Sequence, residues 1–152
     1  FNMAGWRLAF AAGNDQMIEA LNLIQDHLFV GIFPALQEAG IAALLNPNSE
    51  EAVAQLNATY DSRRDAFIQA AAKIGWKAFP SKGSFYAWMP VPEGYTSESF
   101  ADLLLEKAHV AVAPGKGFGP AGDAYVRIGL LVEPERLVEA VDRIANLHLF
   151  NN

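Results

Sequence analysis

Two short runs with strand character, Val110–Ala113 and Tyr125–Leu130, flank a loop whose Pro114, Gly115, Gly117, Gly119, Pro120 and Gly122 forbid a regular helix. The chain must therefore turn back on itself here, and the second run carries one charge, Arg127, among apolar neighbours. Period-two alternation puts Tyr125, Arg127 and Gly129 on one strand face and Val126, Ile128 and Leu130 on the other. Arg127 thus shares its face with a residue that has no side chain, which leaves room for a planar, oxygen-bearing ligand. A guanidinium offers a rigid fork of donors that matches a carboxylate two for two. Composition alone fits a rim arginine on an edge strand equally well.

The rest of the chain reads as short elements of both kinds. Trp6–Ala12 alternates large and small as a buried strand does, with Trp6, Leu8 and Phe10 on one side and Arg7, Ala9 and Ala11 on the other. Arg7 then projects beside methyl groups, which by alternation alone favours a solvent-facing strand arginine, although the setting also suits a phosphate held near a sheet. Gly13, Asn14 and Asp15 break that strand and cap a helix to about Leu28, whose stripe is Met17, Ile18, Leu21, Ile24 and Leu28. Pro34 opens an alanine-rich helix to Leu45. Asn48 with Glu51 makes a capping pair for a helix that runs to Ile74 and stops at Gly75. Val53, Tyr60, Phe67 and Ile74 recur along it every seven residues, and its length would be roughly 40 Å at 1.5 Å per residue. So narrow a stripe suits a strut between domains, which places a boundary near Leu56 and divides the chain into residues 1–55 and 56–152. Beyond it, Trp76–Phe79, Phe85–Met89, Val110–Ala113 and the Arg127 run read as strands, with a turn at Pro80–Ser84. Thr96 or Ser97 caps a helix carrying Phe100, Leu103 and Leu104. Glu133, Pro134 and Glu135 open the last helix, with Leu137, Val141 and Ile144 on its inner face. Strands with helices kept to one side define an α+β domain.

Two motifs carry a resemblance. Pro-Gly-x-x-Phe-Gly at Pro114–Gly119, followed by Tyr125-Val126-Arg127-Ile128, resembles the C-terminal signature of the class I/II, fold-type I pyridoxal-phosphate aminotransferases. Phe1-Asn2-Met3-Ala4-Gly5-Trp6-Arg7 resembles the end of the family segment in which a lysine holds the cofactor as a Schiff base and an arginine binds its phosphate. The resemblance implies the C-terminal part of the large α/β cofactor-binding domain, residues 1–55, followed by the small α+β domain, residues 56–152. It implies pyridoxal 5'-phosphate as cofactor, Arg7 on its phosphate and Arg127 on the substrate α-carboxylate. Amino acids and 2-oxo acids would be the substrates, with amino groups moved between them, and a homodimer the assembly. Gly83, Ser84, Phe85 and Tyr86 resemble a small-domain segment near the substrate, core packing being the alternative for Phe85 and Tyr86. The family lysine would fall before Phe1, so no catalytic residue is expected within these residues and the chain by itself should not transaminate. Two other functions fit the same motifs: an aminotransferase-like effector domain of a transcription regulator, and a non-catalytic association domain.

Composition sets the remaining bounds. The chain has 152 residues, is 52% apolar, and opens without an initiator methionine, which reads as a fragment of a longer protein. A net charge of −6 argues against nucleic acid or an anionic membrane as partner. No apolar run approaches the roughly 20 residues of a membrane span, and cytosol is the simplest assignment. The absence of cysteine removes disulfides and thiolate metal sites. His27, His109 and His148 stand far apart without carboxylates at ligand spacing, so no metal is expected. Gly117–Gly122 satisfies G-x-G-x-x-G, but a strand follows where dinucleotide binding requires a helix. Lys82 and Lys116 lie in glycine-containing loops that do not match the context of a Schiff-base lysine.

Overall fold

The computed structural model describes residues 1–79 and 81–150. It divides into two compact units, residues 1–57 and 58–152. The division falls inside the long helix α3 (Ser49–Lys73).

The first unit is helical. The Asn14 side chain caps α1 (Asp15–Ile24) by accepting from the N–H groups of Gln16 and Met17 at 3.0 and 3.3 Å, which satisfies donors that a helix start leaves free. The helical path continues through Gln25–Phe29 in a wider turn, closed by the Val30 N–H on the Gln25 carbonyl at 3.0 Å. Pro34 stands at the start of α2 (Pro34–Leu45), where its missing N–H costs nothing. Trp6–Ala12 is not a strand. Ala4–Trp6 forms a single tight turn, Arg7 takes a left-handed φ of 54°, and residues 8–12 run without a ladder. Alternation permits a strand, but only a neighbouring strand makes one, and none of the described residues pairs with this segment. No residue of the unit is fully buried, and Phe10, Leu28, Val30 and Leu45 all stand out in solvent. Met17, Leu21 and Ile24 of α1, and Leu28 in the turn after it, are all exposed.

The second unit holds the core. Strands β1 (Tyr86–Pro90), β2 (Ala113–Pro114) and β3 (Tyr125–Gly129) form one antiparallel sheet in the order β1-β3-β2. Tyr86 pairs with Gly129, Trp88 with Arg127 and Pro90 with Tyr125, while Ala113 pairs with Arg127 from the other side. Alternation then sends Ala87, Met89, Val126 and Ile128 into the core. Against that face pack Phe67 of α3, Phe100 of α4 (Ser97–Leu103), and Leu137, Val141 and Ile144 of α5 (Pro134–Ala145). Thr96 caps α4 in a reciprocal pair: its Oγ1 accepts from the Ser99 N–H at 3.2 Å and its own N–H donates to the Ser99 Oγ at 3.0 Å. Gly75, with φ 82°, turns the chain out of α3 in a conformation that a Cβ would disfavour.

Two strand expectations are corrected. Trp76–Phe79 joins no sheet, because Trp76 turns into the core: its indole N–H donates to the Pro90 carbonyl at 2.8 Å, and its ring stacks on Phe150 at 5.1 Å and meets Phe100 edge-on at 5.9 Å. The strand expected at Val110–Ala113 shrinks to Ala113–Pro114, since the Val110 N–H is used at 3.1 Å on the Leu104 carbonyl at the end of the preceding helical turn. Pro80, expected in a turn, lies outside the described residues. Among the described residues no helix is long and apolar enough to cross a membrane.

Replacing Trp76 with alanine removes a fully buried indole and leaves the Pro90 carbonyl without its donor. We expect a loss of about 3–5 kcal/mol in urea unfolding, with a much smaller loss for Trp76→Phe.

Candidate functional site

Arg127 lies in the middle of the central strand, on the face turned away from the core. The burial pattern of β3 alternates as the sequence requires, with Val126 and Ile128 buried and Tyr125 and Arg127 half-buried. Cross-strand pairing brings Tyr86 and Trp88 onto the same face. The Arg127 guanidinium carbon lies 4.1 Å from the centroid of the Tyr86 ring and 4.1 Å from that of Phe118, so two aromatic faces flank the cation. A Cβ on Gly129 would meet the Leu131 side chain first, at 3.3 Å, with the Tyr86 ring at an ordinary contact distance of 3.9 Å. Among the described residues no carboxylate ion-pairs with Arg127, whose N–H edge is left for another acceptor.

Each flanking ring is itself supported. Tyr86 lies 4.6 Å from Phe85, which lies 5.6 Å from Tyr60 of α3. Phe118 is met edge-on by Trp88 at 5.6 Å, and Trp88 by Tyr125 at 6.1 Å. A cleft of about 360 Å³ beside Phe118 is lined by Phe79, Trp88, Phe118, Ala121, Gly122 and Tyr125.

The loop that delivers Phe118 is fixed at two points. Gly115 and Gly122 approach so closely that a Cβ on Gly115 would lie 2.1 Å from the Gly122 carbonyl oxygen and 2.4 Å from that of Tyr125. Beside them the buried Ser97 donates from its hydroxyl to Asp123 at 2.8 Å and from its N–H to the same oxygen at 3.2 Å. The Ser97 hydroxyl also accepts the Lys116 N–H at 3.3 Å. Those two donors, the hydroxyl first, hold the Asp123 carboxyl below its ordinary value. Lys116 pairs with Glu98 at 2.8 Å, and that hydrogen bond raises its pKa, the reverse of what an amine nucleophile needs. The chain passes from Gly117–Gly122 into β3, not into a helix.

Arg7 belongs to the first unit. Its guanidinium is exposed, makes one long contact of 3.5 Å to the Ala4 carbonyl, and has no carboxylate partner among the described residues. Of the remaining residues singled out in the sequence, Phe85 and Tyr86 join Arg127, Ser84 takes a φ of 73° just before them, and Lys82 is exposed. Sequence reasoning missed Trp88 and Phe118. Trp88 was within reach, because Tyr86 and Trp88 alternate with Ala87 and Met89, whereas Phe118 sits in an aperiodic loop that gives no such signal. Among the described residues no group of three or more histidines and carboxylates is arranged to hold a metal.

The family model of aminotransferase class I and II matches residues 1–144, and the chain belongs to that family. It is 59% identical over 150 residues to the L-glutamine–4-(methylsulfanyl)-2-oxobutanoate aminotransferase of Bacillus subtilis, with 99% of this chain and 37% of the relative covered. It is 45% identical to the LL-diaminopimelate aminotransferase of Moorella thermoacetica, over 95% of this chain and 36% of that protein. Among solved structures, substrate-bound BacF from Bacillus subtilis superposes with a TM-score of 0.92 at 47% identity, covering 99% of this chain and 38% of that one. The aromatic aminotransferase of Pyrococcus horikoshii gives 0.91 at 35% identity, over 97% and 40%. The chain thus spans a little over a third of the length of the relatives it matches.

Two measurements check this account of the loop. Gly115→Ala, which drives a methyl into backbone oxygens that cannot swing aside, should cost about 1–3 kcal/mol in unfolding free energy. For Asp123 the sign is that of a depressed acid. Its contribution to stability is complete above the ordinary carboxyl value of 3.8 and is lost as pH falls through the lower folded value. In Ser97→Ala the Asp123 carboxyl, followed by carbon NMR, should titrate closer to 3.8 than in the parent protein.

Proposed function

We propose that these residues are the C-terminal part of a pyridoxal-phosphate-dependent aminotransferase that moves an amino group between an L-amino acid and a 2-oxo acid. Residues 1–55 would close the large cofactor-binding domain and residues 56–152 form the small domain. The observation that carries the reading is Arg127: a half-buried guanidinium on the outer sheet face, held by rings, with no carboxylate partner among the described residues. An arginine in that state is a receptor for a carboxylate, which every amino acid and 2-oxo acid carries.

The residues present fit the phosphate end of the cofactor. Arg7 has spare N–H donors, an exposed guanidinium and no competing acid among the described residues, and it would hold the phosphate. Pyridoxal phosphate, when bound, supplies an electron sink that stabilises negative charge developing at the substrate Cα. Arg127 would bind the α-carboxylate and so fix how the Cα–H bond is presented. The chain's contribution is then binding and orientation, a term worth many powers of ten when the reacting geometry is held. The 59% identity to the Bacillus subtilis enzyme favours a methionine-type substrate pair, glutamine with 4-(methylsulfanyl)-2-oxobutanoate. The aromatic walls of the cleft beside Phe118 suit a thioether chain. The exposed apolar faces of α1 and α2 are of the kind that protein surfaces cover, which supports a homodimer together with the remainder of the large domain. A cytosolic setting accords with the substrates.

The test uses the full-length protein. Arg127→Ala should lower kcat/KM by at least about a hundredfold, or roughly 2.7 kcal/mol; a loss below tenfold would remove Arg127 from the carboxylate site. Borohydride reduction of the cofactor-loaded enzyme, followed by peptide mapping, should mark a lysine upstream of Phe1 and neither Lys82 nor Lys116.

A further inference from the structure

An arginine that must receive a ligand carboxylate faces two conflicting demands. It needs stabilisation while the ligand is absent, yet a resident carboxylate would satisfy it and then compete with the ligand. Aromatic rings resolve the conflict, because they interact with the flat faces of the guanidinium and leave the N–H groups, which point outward in its plane, untouched. The Arg127 guanidinium carbon lies over the rings of both Tyr86 and Phe118, 4.1 Å from each centroid, a distance that suits such stacking.

Both rings have aromatic neighbours, although Phe118 is half exposed. Tyr86 is pinned by the pairing of its backbone with Gly129 and backed by Phe85, itself set against Tyr60. The Arg63 guanidinium lies 5.6 Å from the Tyr60 ring and is anchored at 2.6 Å on Glu133, just before α5. Phe118 is braced edge-on by Trp88, the strand partner of Arg127. Contacts thus run unbroken from α3 through Tyr86 to the Arg127 cation and on to Phe118.

We propose that Tyr86 and Phe118 are positioning residues that clamp the Arg127 guanidinium by its faces and hold its N–H edge ready for the ligand carboxylate. The inference rests on the reading of Arg127 as the carboxylate receptor and adds how that receptor is kept both rigid and unoccupied. Pre-organisation of this kind acts on affinity by removing the cost of ordering a long side chain at the moment of binding.

The test is a graded one in the full-length, cofactor-loaded enzyme. Phe118 is replaced by phenylalanines carrying one, two, three and five fluorines, which weaken the attraction of the ring face for a cation while nearly preserving its shape. Binding of 4-(methylsulfanyl)butanoate and of its uncharged amide is measured by calorimetry, alongside KM and kcat for the amino donor. Affinity for the acid should fall stepwise with fluorine number, by about 5–30-fold at the pentafluoro ring, while affinity for the amide stays level and KM rises by more than kcat falls. Tyr86→Leu should weaken acid binding more than Tyr86→Phe, which keeps a ring in place. A flat series, or equal losses for acid and amide, overturns the clamp. If Arg127→Ala abolishes the preference for acid over amide while the series is flat, the carboxylate receptor stands and the clamp alone falls. If Arg127→Ala keeps that preference, the receptor itself is wrong and the clamp falls with it.

Discussion

Strand β3 is bonded on both edges, and its two faces meet opposite environments. Val126 and Ile128 must leave water, so they face Phe67, Phe100 and the inner side of α5. Once they do, a strand has no choice about Tyr125 and Arg127: they go to the other face. A one-residue slip would bury a guanidinium without a partner at a cost of several kcal/mol, and this penalty sets the register against Tyr86–Pro90. The sheet side of the Arg127 surroundings follows from that register, because the same pairing places Tyr86 and Trp88 beside it.

The loop between β2 and β3 supplies what the sheet cannot. It must carry Phe118 from the end of one strand to the side of an arginine two strand positions into the next. It does so by folding tightly enough for the Gly115 and Gly122 backbones to touch. The hydrogen bonds of the buried Ser97 to Asp123 and from Lys116 tie this loop to the first turn of α4. Placement of an aromatic ring against the cation is therefore a property of a packed loop and a helix start together. The lysine of the same loop, Lys116, serves as an ion-pair partner of Glu98.

Legibility in the sequence followed the range of the interaction. The Asn14 cap, Pro34 at a helix start, the Thr96 cap and the inner face of α5 were all readable, since each is decided within a turn of helix. The alternation of β3 was readable for the same reason. Trp6–Ala12 and Trp76–Phe79 misled because alternation is a necessary condition for a strand and not a sufficient one. The first finds no partner among the described residues, and the second gives its tryptophan to the core. Trp88 was half-legible, its face being set by Ala87 and Met89, but its closeness to Arg127 depends on the pairing of two strands far apart in the chain. Phe118 was visible only as a letter of the Pro-Gly-x-x-Phe-Gly motif, with no periodicity to show which way its ring points.

The sequence by itself determined the family, through two motifs at opposite ends of the chain, the choice of Arg7 and Arg127 as the cations to explain, and the face on which Arg127 stands. These are local matters of residue identity, capping and period. Only the tertiary structure decided what surrounds Arg127. Gly129 suggested an empty place beside the arginine; in the fold the Leu131 side chain comes nearest to that place, and the Tyr86 and Phe118 rings both lie against the guanidinium. The reason is physical: a side chain's neighbours across a sheet and across a loop are fixed by strand register and by close backbone approach, and neither leaves a periodic trace in the residues that take part.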